Sequence, residues 1–368
     1  MRTRRNRQQA AKTSPSRRVQ LAVLASLVVG TLAAAPVLAS KQGTGLRVVP
    51  SPFVANSSLA ASSVIASNDI WAVGSVTTGT STTETLAEHF NGTGWSVVPT
   101  PSLNASFTGV AGAAENGVWA IGSQASRKTE NPLIEHWNGT SWSVVSTPKL
   151  PEGSQLRGVA APATNDAWVV GFSGGSGALV EHWDGTSWTI VSSPAFEGVS
   201  GVLGISADSS SDVWALGGGQ SSLHWNGQSW SRIPTARLRF GGVDAVSALS
   251  PTNVWAVGVG PGVPTGGFSA HPTALVEHWN GTNWSVVPSP NPAPQINNSL
   301  FSVAAVSAND VWAVGLAFGP FTEHWDGTSW SIVSTPSGLN ALGGLSAAAT
   351  GTVVAVGKEN NSGVILSN

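Results

Sequence analysis

The sequence predicts an all-β chain folded as a seven-bladed β-propeller of four-stranded blades, and three observations carry that expectation. The 368 residues include 43 Gly, 22 Pro and 17 Trp beside a single Met, a composition of short strands and tight turns rather than helices. An apolar segment of the type VWAVG recurs six times, with Trp71, Trp119, Trp168, Trp214, Trp255 and Trp312 at successive steps of 48, 49, 46, 41 and 57 residues. A second signature, typified by LIEHWNGTSWSVVSTP, alternates with the first and holds the eleven other Trp. A period of roughly 40 to 50 residues that accommodates four strands is the mark of propeller blades.

From the N-terminus, residues 1–39 form a separate segment. Arg2, Arg4, Arg5, Arg7, Lys12, Arg17 and Arg18 precede an apolar run from Val19 to Ala35 and then PVLAS, the order of a secretory signal with cleavage expected after Ala39. Arg17 and Arg18 also permit a twin-arginine route, and an uncleaved run could serve as a membrane anchor. Residues 40–368 are then a propeller that is secreted or held at the extracytoplasmic surface. Without the leader, ten basic residues face nineteen acidic ones, a formal charge of −9. Such a chain lacks the basic footprint of a nucleic-acid binder, and any membrane contact falls to the N-terminal segment alone.

The next segment, LRVVPSP at Leu46 to Pro52, matches the tail of the second signature. Its partner strands lie at the other end, where TVVAVG carries Val354 in the place of Trp and NSGVILSN supplies a third strand. Joining both ends in one blade closes the ring and removes its last open edges. Between them, six units each read as an inner GVAAVS-like strand, the VWAVG strand, the VEHW strand and the WSVV strand. An Asn-Gly or Asp-Gly step separates the last two and supplies the positive backbone angles of a hairpin. With four residues in that loop Trp137 faces Trp142, whereas a two-residue loop shifts the register. The Trp of the VWAVG strand and those opening the last strand (Trp95, Trp142, Trp188, Trp230, Trp284 and Trp330) are expected to be scaffold, packed between blades, because each aromatic removes roughly 150–250 Å² from water.

An apolar strand ending in Gly, a variable loop, then an aromatic, a turn and a Trp resemble kelch repeats and the central propeller of galactose-oxidase-like proteins, from about Leu46 to the end. The usual Gly pair is clear only at Gly217-Gly218, and Trp137 and its equivalents stand where kelch units have Tyr. The resemblance implies the propeller fold but not the family's oxidase chemistry, since the chain has neither the Tyr nor the Cys of that copper site. A sialidase-like reading fails on the missing Tyr nucleophile. With no Cys there is no disulfide, thiolate metal site or thiol nucleophile, and no cofactor is expected.

The six His of EHW (His89, His136, His182, His224, His278 and His324) invite a metal reading, but each occupies the third strand of its own blade and neighbouring Glu and His point to opposite faces. A repeated structural role, hydrogen bonding to an adjacent blade or turn, is expected instead, and no metal site. The acids recur likewise, as Asp69, Asp166, Asp212 and Asp310 before the Trp strand and as Glu88, Glu135, Glu181, Glu277 and Glu323 beside His. Repetition in blade after blade suits architecture. Glycosylation-type triplets at Asn56, Asn91, Asn138 and Asn280 mostly coincide with hairpin turns.

Strand alternation puts the loop between second and third strands on the same ring face as the blade-to-blade connection. Variation concentrates there, and variable loops on a rigid ring are where recognition resides. The candidate binding residues are Arg232, Arg237 and Arg239 leading into the fifth blade, and Phe268 and His271 in its long loop, suited to an acidic ligand. The expected function is a monomeric, non-enzymatic binding scaffold for a protein or glycan partner. Two alternatives remain: a lectin-like propeller, which requires several exposed Trp at equivalent positions, and a glycan hydrolase, which requires two carboxylates about 5–9.5 Å apart at the channel mouth.

Overall fold

The computed structural model describes residues 45–79, 82–101, 104–125, 130–174, 177–218, 221–236, 241–264 and 270–368. The leader therefore lies outside the described residues. Seven four-stranded antiparallel sheets form the blades, and the only helical segment described is one 3-10 turn, Pro194–Phe196. In blade 1 the strands run Ser57–Ala66, Asp69–Thr77, Thr83–Phe90 and Trp95–Val98 from the axis outward. The inner strands of blades 2 to 7 are Ala105–Ala114, Gln155–Ala163, Val202–Ser209, Gly242–Ser250, Ser299–Ser307 and Leu339–Ala347. Blade 7 takes its outer strand, Arg47–Val48, from the N-terminal side, paired with Ser362–Ser367 through Arg47↔Ser367 and Val48↔Leu366. Ring closure is thus the one expected from the split repeat.

The repeated Trp hold the blades to one another. Trp71 of blade 1 lies 5.1 Å from Trp137 and 5.2 Å, edge-on, from Trp142 of blade 2. The same three-ring arrangement recurs as Trp119 against Trp183 and Trp188, Trp168 against Trp225 and Trp230, Trp214 against Trp279 and Trp284, and Trp255 against Trp325 and Trp330. Tilted and edge-to-face pairs of this kind add about 0.5–1.5 kcal/mol each beyond area burial. At the next seam Trp312 packs with Leu46 and the blade 7 core.

The turn chemistry decides the open register. Trp137 pairs directly with Trp142, so all four residues of NGTS form the loop. Only its Gly uses a positive φ, 95° at Gly139. Asn138 instead caps the turn, its Oδ1 accepting from the Thr140 amide and hydroxyl and the Ser141 amide. Asp184 and Asp326 do the same in blades 3 and 6, and those donors, the Thr hydroxyl foremost, hold each carboxyl down to about 2.

Candidate functional site

The backbone itself singles out one ring of residues. Every inner strand carries a β-bulge near its start, where one residue is skipped in the pairing with the second strand: between Leu59 and Ala61, Phe107 and Gly109, Leu156 and Gly158, Val202 and Gly204, Val243 and Ala245, Leu300 and Ser302, and Leu342 and Gly344. The skipped residues are Ala60, Thr108, Arg157, Leu203, Asp244, Phe301 and Gly343, and all seven line the axial channel, a space of about 230 Å³. A bulge turns its extra residue away from the ladder and re-aims the side chain. Here it aims six side chains and the bare backbone of Gly343 inward near the strand starts, toward the end that carries the loops.

Two features make this geometry possible. The residue after each bulge is small (Ala61, Gly109, Gly158, Gly204, Ala245, Ser302 or Gly344), since neighbouring inner strands nearly touch; a Cβ on Gly204 would lie 2.9 Å from the Asp244 carbonyl of the next blade. The bulge also drives a backbone carbonyl toward the second strand, and the Gly ending VWAVG receives it: a Cβ on Gly171 would collide with the Gln155 carbonyl. That close approach is why the signature ends in Gly.

Seven equivalent positions thus hold seven different residues. Arg157 is exposed, donates to Gln155 Oε1 at 2.8 Å and places its guanidinium 5.5 Å from the Phe172 ring. Burial raises the Asp244 carboxyl above its ordinary range. Phe301 is 41% exposed, and it also borders a cleft of about 520 Å³ with His271, Leu316 and Ala317. Leu316 and Phe318, 41% and 84% exposed, extend the apolar surface of that sector. Among the described residues lining the channel Asp244 is the one carboxylate, so the acid pair of the hydrolase reading is not met there.

Of the residues singled out from sequence, His271 borders this mouth, whereas Arg232 is engaged elsewhere. Its guanidinium donates to the Ala195 and Glu197 carbonyls at the end of the 3-10 turn, tying the outer strand of blade 4 to the blade 3–4 connection. Arg237, Arg239 and Phe268 lie outside the described residues. Sequence reasoning missed Arg157, Asp244 and Phe301; comparing the repeats position by position would have found them, as the one inner-strand column with no shared chemistry.

The repeated acids and imidazoles are architecture, with one difference from expectation. Each His stacks on the Trp of its own blade, as His89 does on Trp71 at 4.3 Å, and in four blades bonds the Asp that follows the turn into the second strand of its own blade, as His182 Nε2 does Asp166 at 2.8 Å, rather than reaching an adjacent blade. His278 uses Asn253 instead. His136 Nε2 is buried without a partner, because Gly117 stands where the other blades have the acid or amide, and burial lowers its pKa. The adjacent glutamates point the other way, toward the chain leaving the preceding blade: Glu277 accepts from the Ala236 amide and Glu323 from the Ser289 hydroxyl. Burial pushes Glu88, Glu135, Glu181, Glu277 and Glu323 up to about 7. Twelve of the seventeen Trp are buried and five, Trp95, Trp137, Trp183, Trp225 and Trp325, are half-buried, so none presents the fully exposed ring that the lectin reading requires.

No protein-family model matches the sequence, and no curated protein matches it. Among solved structures the chain is similar to YCF48 bound to a D1 peptide, at 17% identity over 89% of this chain and 95% of that one, TM-score 0.58. It is similar to YCF48 from Cyanidioschyzon merolae at 18% identity over 88% and 98%, TM-score 0.59. The WD40 propeller domain of Doa1 gives 10% identity over 89% and 98%, TM-score 0.57. At such identities the likeness does not single out kelch-like proteins; what it establishes, together with the seven sheets, is that the chain is a seven-bladed β-propeller.

Proposed function

We propose that this protein is a non-enzymatic binding module that works outside the cytoplasm and takes a protein or peptide partner at the loop-rich mouth of its axial channel. The bulge ring carries the reading: of the three positions each blade gives to the channel wall, the bulge position is the one whose residue differs in every blade. Arg157 offers a carboxylate-binding fork beside an aromatic face, Phe301 with Leu316 and Phe318 an apolar seat, and Asp244 a counter-charge. The similarity to YCF48, solved with a D1 peptide, agrees with a peptide ligand. A kelch-like origin of the repeat belongs to this proposal too, on the strand, Gly, loop, aromatic and turn order. Export follows from the leader at residues 1–39, and its fusion to a phosphatase that folds only outside the cytoplasm should give active enzyme.

The test is selection of a phage-displayed peptide library on the immobilised propeller. The native protein should enrich a consensus, and Arg157→Ala with Phe301→Ala should abolish it while Arg232→Ala leaves it intact. Enrichment that survives the double variant would remove the channel mouth as the site.

A further inference from the structure

The seam between blades 7 and 1 lacks the part every aromatic seam of the ring contains. At five other seams an indole from the second strand of one blade inserts against two aromatic rings of the next, at 4.9–5.8 Å. Blade 1 keeps its receiving pair: Phe90 and Trp95 lie 5.6 Å apart and tilted, close to the 5.9 Å of Trp137 and Trp142. Blade 7 keeps none of the inserted group. Val354 replaces the Trp, and its register partner, His in the other blades, is Ser367. Thr352 stands where Asp310 and Asp212 accept the indole N–H of their own Trp. The result is a cleft of about 380 Å³ lined by Ile70, Phe90, Trp95, Val354, Ile365 and Val49, opening between the Ser67, Thr93 and Thr352 turns on the face opposite the loops. Trp95 is half-buried there, whereas its counterparts Trp142, Trp188, Trp230, Trp284 and Trp330 are buried.

We infer that this cleft is a binding site for a free, planar aromatic ligand of indole size. The volume lies within the roughly 300–1,000 Å³ of small-molecule pockets, and a half-open apolar cleft floored by Ile70, Val354 and Ile365 and walled by Phe90 and Trp95 accepts a planar ring. The rest of the ring gives the pose: tilted on Phe90, edge-on to Trp95, its N–H toward the Thr352 hydroxyl. The chain's own residues 1–44 contain no Phe, Trp or Tyr to fill it. The site is independent of the channel mouth and lies on the other face.

Titrating 5-fluoroindole into the propeller, followed by fluorine NMR, tests it. One saturable site is expected, with transfer of magnetisation to the Val354 and Ile365 methyl groups. Val354→Trp, which restores the repeat, should weaken binding at least tenfold, and so should Ser67→Trp at the exposed rim should the first variant fail to fold. No saturable binding, equal binding by a folded Val354→Trp protein, or contacts to other methyl groups would overturn the inference. A capped Gly-Trp-Gly peptide separates the sources of the ring: weaker binding than free indole supports a small molecule, and equal or tighter binding overturns that assignment in favour of a partner's side chain.

Discussion

Replacing Glu135 by Gln should change the pH dependence of stability in a calculable way. Glu135 is fully buried and neither carboxyl oxygen has a hydrogen-bond partner. Burial raises its pKa from 4.5 to about 7, so between those values the folded state binds more protons than the unfolded one. Stability is therefore complete below the unfolded value, falls as pH rises through the window, and levels off above about 7. At about 1.36 kcal/mol per unit, the site costs the folded protein about 3 kcal/mol at pH 8 and less than 1 at pH 5. Gln carries no such titration. Urea unfolding of native and Glu135→Gln proteins should show the variant gaining about 2.5 kcal/mol relative to native between pH 5 and pH 8. Taking the difference cancels His136 and His278, whose lowered pKa values work oppositely, removing stability as pH falls through the ordinary His range. A difference that does not move with pH would refute the burial argument, and with it the ionisation behaviour of the four equivalent glutamates.

Trp119→Ala removes the ring between Trp183 and Trp188 and should cost about 3–5 kcal/mol in urea unfolding, whereas Val144→Ala on the exposed outer strand should stay within about 0.5 kcal/mol. Gly171→Ala sets a methyl against the Gln155 carbonyl and should leave little folded protein by circular dichroism. Deleting residues 45–52 removes the outer strand of blade 7 and bares the Ser362–Ser367 edge; concentration-dependent association in sedimentation velocity is the expected result.

The sequence made the ring legible because its constraints recur. A Trp every 41 to 57 residues, a Gly after it and an Asx-Gly turn are each required by packing that is repeated blade by blade. Blade 7 was legible too, since LRVVPSP and TVVAVG are recognisable halves of one unit. Two kinds of feature were not. The His-Asp bonds depend on which side chains cross within a blade rather than between blades, and alternation along one strand leaves that open. The candidate site was hidden for the opposite reason: a bulge leaves no mark in hydrophobic periodicity, so nothing in the alternation of residues sets Arg157 or Phe301 apart from its neighbours. Of the basic cluster Arg232, Arg237 and Arg239, the described member, Arg232, ties a loop through the Ala195 carbonyl.

The bulge also explains how function can vary on a scaffold that tolerates little change. A side chain in the ladder of these sheets meets the next blade, and its size is fixed by the seam. The bulge residue leaves the ladder, so Ala, Thr, Arg, Leu, Asp, Phe and Gly have all been accommodated with the same pairing on either side. Exchange at this ring should therefore be nearly free of cost to the fold. Arg157→Thr, which copies blade 2 into blade 3, should change unfolding free energy by no more than about 1 kcal/mol, the worth of an exposed guanidinium over Phe172. Its effect on peptide selection should be large. A loss of several kcal/mol would mean that the bulge side chain supports its blade, and that the diversity of the ring answers to packing rather than to a ligand.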